Sequence, residues 1–76
     1  MSLENQTKNI LDDFENSSSE QILGILNQIK PQFKNKLITE YLEGKIQKVL
    51  DSADEAEKKK QCKALIPYLD WYLQGL

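Results

Sequence analysis

The residues best suited to chemistry in this 76-residue chain are Cys62 and the acidic run Asp12-Asp13-Phe14-Glu15. A lone cysteine in a chain with no histidine cannot form a thiol–imidazole pair or an internal disulfide, and it argues strongly against a zinc site. Cys62 also falls on a helical face shared with Leu65, Ile66 and Leu69, where a cysteine behaves as a small buried hydrophobe. The DDFE run could attract a divalent cation. However, it lacks the spaced ligands and glycine of a calcium loop, and Phe14 belongs to an apolar stripe. There is no glycine-rich phosphate loop and no paired-cysteine motif. With the commonest general acid–base absent as well, the residues point away from an enzyme and call for no cofactor and no metal.

Two other groups of residues could recognise a partner. Lys34, Asn35, Lys36 and Thr39 would open the second helix of a helix-turn-helix-like corner, where lysine meets phosphates and asparagine reads base edges. Against that reading stand the net charge of −2, the absence of arginine, and a proline where such turns often carry glycine. The second group lies in the C-terminal segment PYLDWYL. On a helical wheel the aliphatic face centres on Leu69 and Leu76, Tyr68 widens it, and Trp71 falls well outside it. A helix with one neighbour has little use for a tryptophan there, and Trp and Tyr are enriched as interface anchors. Tyr68, Trp71 and Tyr72, with Ile46 and Leu50, are therefore the expected partner interface.

The elements that must position these residues are helical throughout, which makes the expected fold class all-α. Leu3, Ile10, Leu11 and Phe14 form a narrow stripe on a first helix at about residues 3–15, whose acidic C-terminus opposes the macrodipole and favours an early stop. Ser17/Glu20 and Ser18/Gln21 both have capping-box spacing ahead of a second helix carrying Ile22, Leu23, Ile25, Leu26 and Ile29. Lys30-Pro31 ends that helix, and proline fits the first turn of a third.

That third helix, expected over residues 31–50, has an almost unbroken apolar series: Phe33, Leu37, Ile38, Tyr41, Leu42, Ile46, Val49 and Leu50. Leu37 and Ile38 read as core residues. Gly44 could divide the helix, but the pattern resumes in register at Ile46. Rows spaced by four residues drift around a helix, so this one should pack on two sides. Ser52-Ala53-Asp54-Glu55 is the strongest capping signal and opens a fourth helix, about residues 53–74, kinked at Pro67. Within it Glu55 should reach Lys58 or Lys59. The expected architecture is a single domain over residues 1–76: a four-helix bundle with two short and two long helices, the long third and fourth forming an antiparallel hairpin.

A chain this short buries only about 60% of its unfolded surface, so a lone monomer is marginal. Without disulfide or metal, the remaining routes to stability are regular helix packing and self-association, which favours a homodimer. No apolar run approaches a membrane span, and the N-terminus has no signal-peptide pattern. The unpaired cysteine fits a reducing compartment. The sequence thus reads as a cytoplasmic, non-enzymatic protein–protein interaction or regulatory protein. A nucleic-acid-associated regulator is the alternative.

Overall fold

The computed structural model describes residues 2–75 and contains only helices and their connections among them. Five α-helices follow one another: α1 (Leu3–Asp12), α2 (Ser19–Ile29), α3 (Lys36–Leu50), α4 (Glu55–Lys63) and α5 (Ile66–Gln74). Single 3-10 turns at Phe14–Asn16 and Lys30–Gln32 follow α1 and α2. The all-helical class matches the sequence reading, and the count differs by one because the expected fourth helix is divided.

The division lies at Ala64-Leu65. Pro67 has no N–H to offer the carbonyl of Lys63, and the ladder there tightens to three-residue bonds, from Ala64 N–H to Gln61 O and Leu65 N–H to Cys62 O. Leu65 leaves the helical region (φ −98°, ψ 1°), and α5 restarts with the proline in its first turn. Gly75, at φ 81°, ends α5 in the left-handed conformation that suits glycine.

The third helix starts five residues later than expected. Pro31 is held in the 3-10 turn, Phe33 is extended (φ −71°, ψ 133°), and Asn35 caps α3 by accepting the Leu37 N–H at 2.9 Å. Phe33 is therefore no part of the helical face. The extended connection turns its ring into the core, edge-on to Tyr68 with centroids 6.4 Å apart. From Lys36 onward the helix is continuous through Gly44.

Of the two possible capping boxes before α2, the chain uses Ser18 with Gln21. The expected box at Ser52 does not form. Asp54 occupies the N-cap of α4 with no side-chain cap bond, while Ser52 donates to Lys48 O and accepts from Gln61 Nε2 at 2.8 Å.

The core draws on every helix. Ile22, Leu26 and Ile29 of α2 meet Leu42 and Val49 of α3, Cys62 of α4 and Leu69 of α5, with Leu65 at the break, and α1 closes over them with Ile10 and Thr7. Each fully buried aliphatic contributes roughly 1.5–3 kcal/mol of transfer free energy. Thr7 is wholly buried, and its hydroxyl donates to Leu3 O at 2.9 Å, so the polar atom carries no desolvation penalty. Among the described residues no buried side-chain nitrogen or oxygen lacks a partner.

Candidate interaction surface

The sequence-predicted interface residues divide between interior and surface. Ile46 and Tyr68 are 4% and 7% exposed, so both are core residues of the chain itself and neither is offered to a partner. Ile46 lies on the same face of α3 as Leu42 and Val49, all three pointing into the bundle. Tyr72 is half-buried against the core. Leu50 and Trp71 are exposed, at 51% and 37%.

Tyr68 joins the buried aromatic cluster to the surface one. Its ring meets Phe33 on one side and Trp71 on the other, the latter with centroids 5.1 Å apart at 74°. Burial raises the Tyr68 phenol above its ordinary pKa, and Tyr41 adds to the rise. Tyr68 is neutral at physiological pH.

Sequence reasoning missed the most exposed apolar pair. Leu37, expected in the core, is 74% exposed, and Tyr41 one turn later is 62% exposed. With Phe33 outside the helix, α3 buries Leu42, Ile46 and Val49, and the Leu37–Tyr41 row lies outward with Gly44 and Lys48. Lys45 lies over the Tyr41 ring, 4.8 Å from its centre. The signal available in the sequence was the drift of the four-residue rows, which required two faces without saying that one would be open.

The residues of the nucleic-acid reading lie at the start of α3, partly engaged. Asn35 spends its side-chain oxygen on the helix cap, and the Thr39 hydroxyl reaches the carbonyls of Lys30 and Asn35, each at 3.3 Å. Lys34 is exposed, and Lys36 lies 4.0 Å from Glu40. The 3-10 turn and extended residues between α2 and α3 replace the tight corner of a helix-turn-helix.

The acidic run and the cysteine are also placed. Asp13 accepts from Asn16 Nδ2 at 2.8 Å at the end of α1, and among the described residues no three acids or cysteines gather as a metal site. Cys62 is buried, and its thiol is pushed up from its ordinary pKa by burial first and by Glu55 second. Glu55 does not pair with Lys58 or Lys59 in the expected way. Its carboxylate accepts the Ser19 hydroxyl at 2.6 Å and the Ser19 N–H at 3.1 Å, clamping the first turn of α4 to the first turn of α2. These two bonds, the hydroxyl first, hold the Glu55 pKa below its ordinary value. Lys59 adds a second tether, donating to Glu15 O at 3.2 Å above the Phe14 ring.

Among the described residues no helix is long and apolar enough to cross a membrane. No family model, curated protein or solved structure matches the chain.

Proposed function

We propose that this chain is a small, non-enzymatic protein–protein interaction or regulatory protein that works in the cytoplasm through exposed apolar helix faces and self-associates as a homodimer. One observation carries the reading: Leu37 and Tyr41 stand on one row of α3 with most of their surface in water, whereas the other large apolar side chains among the described residues are buried or half-buried, Leu50 and Trp71 excepted. Single exposed apolar residues are ordinary, but adjacent ones on one helical row make a contact strip. Trp71 and Leu50 are secondary exposed positions. The same reading takes α3 and the α4–α5 arm as an antiparallel hairpin about residues 51–54, which the packing of α3 on α4 supports.

Sedimentation equilibrium at micromolar concentration tests it. The expected mass is twice that of the 8.8 kDa chain, with Trp71 emission shifting to the blue as the protein is concentrated. An 8.8 kDa species with unchanged Trp71 emission at every concentration would count against the dimer.

The nucleic-acid alternative rests on the exposed Lys34 and Lys36 beside the N-terminus of α3. Retention of DNA or RNA at low salt, lost steeply as salt rises, would favour it. No retention at low salt would remove it.

A further inference from the structure

A second surface complements the α3 strip. Between α1 and α2 runs an open groove of about 290 Å³, floored by Ile10 and Ile25, flanked by Asn9 and Gln28, with Glu20 on its edge and Gly24 in its wall. An engineered cavity of ~150 Å³ accepts benzene, so this groove has room for a tyrosine ring. Gly24 is the second observation. It lies inside α2, where glycine costs about 1 kcal/mol relative to alanine, and a Cβ built on it meets nothing within 4 Å. The glycine leaves that stretch of the groove wall without a side chain.

The charges name the occupant. Glu20 is the one charged residue among those lining the groove, and residues 2–29, the segment that carries it, hold Glu4, Asp12, Asp13, Glu15 and Glu20 against Lys8 alone, with Lys8 3.8 Å from Glu4. The α3 strip has the opposite bias, with Lys34, Lys36, Lys45 and Lys48 around Leu37 and Tyr41 against Glu40 and Glu43. Opposite fields steer two such surfaces together.

We infer that the α1–α2 groove receives the Leu37–Tyr41 strip of a second copy, in a two-fold dimer whose two identical contacts exchange strip for groove. This rests on the self-association proposed above and deepens it by naming the mate of the strip. Tyr41 fills the space beside Gly24, over Ile10 and Ile25, and lysines of α3 face the acidic helices.

Complementation between two surface variants tests the inference. Tyr41→Glu destroys the strip at a side chain that is mostly in water, and Gly24→Gln fills the groove where an added Cβ meets nothing within 4 Å. Each variant alone is expected to weaken dimerisation roughly thirty-fold or more, the size of a hot-spot loss. Mixed in equal amounts, they should regain a dimer by sedimentation, because the mixed pair keeps one intact strip in one intact groove. If Tyr41→Glu is monomeric while Gly24→Gln dimerises like the unaltered protein, the strip pairs elsewhere and the groove assignment is wrong. No dimer from the mixture also overturns it. An unaltered protein that stays monomeric at high concentration overturns the self-association reading as well, which separates the two failures.

Discussion

Glu55 shows how one side chain can leave its expected partners for a better one. Lysines one helical turn away offer an exposed ion pair worth a few tenths of a kcal/mol, screened by salt. The first turn of α2 offers an N–H and a hydroxyl at the positive end of a helix, a charge-assisted arrangement. The lowered Glu55 pKa makes this contact pH-dependent. A folded pKa below the unfolded value of roughly 4.3 means that the unfolded state takes up protons first as pH falls. The stabilisation is therefore complete above that value and lost as pH drops through the depressed folded value. Glu55→Gln should melt below the unaltered protein at neutral pH, and the gap should close on acidification below pH ~4. Thermal melts across that range check it, and a gap that stays constant would show that the carboxylate charge contributes nothing.

Among the elements, α3 and the α4–α5 break carry the separate lessons of glycine and proline. Gly44 stays helical, exposed and without close neighbours, so it weakens α3 without interrupting it. Gly44→Ala should stabilise the monomer by about 1 kcal/mol, which raises Tm by roughly 4–8 °C in a domain of this size. Melts followed by circular dichroism at a concentration low enough to keep the protein monomeric would measure it. An unchanged or lower Tm would mean that this position needs backbone freedom. Pro67 has the larger effect because it removes a donor that alanine would keep, and the helix divides two residues before it. That division turns α5 so that Tyr68 and Leu69 enter the core while Trp71 stays at the surface.

For the whole molecule, the radius of gyration of 11.6 Å matches the ~11 Å expected of a compact chain of this length. The helices are short, and they are fastened by contacts between distant segments: Phe33 on Tyr68, Glu55 on Ser19, Lys59 on Glu15. Phe33 is the most consequential of these, since it plugs the core from an extended connection. Phe33→Ala should cost roughly 3–5 kcal/mol, a large share of the 5–10 kcal/mol or so that a small domain has in total. Denaturant unfolding reads this directly, and a loss below 1 kcal/mol would place the ring outside the core.

Local patterns were enough for the helical class, a serine cap before α2 (though not which serine), the early end of α1, the continuity of α3 through Gly44 and the burial of Cys62, because each follows from helical period or from contacts within one turn. Periodicity also showed that α3 has apolar residues on more than one side. Which side stays open depended on where the chain turns. With Phe33 extended and packed on Tyr68, α3 buries Leu42, Ile46 and Val49 and leaves Leu37 and Tyr41 exposed. Glu55 could not be assigned from spacing alone, because its partner is 36 residues away and only the packing of α4 against α2 brings the two together. Period and capping are local properties of the chain, whereas the exposure of a given face is decided by the tertiary neighbours that compete to cover it.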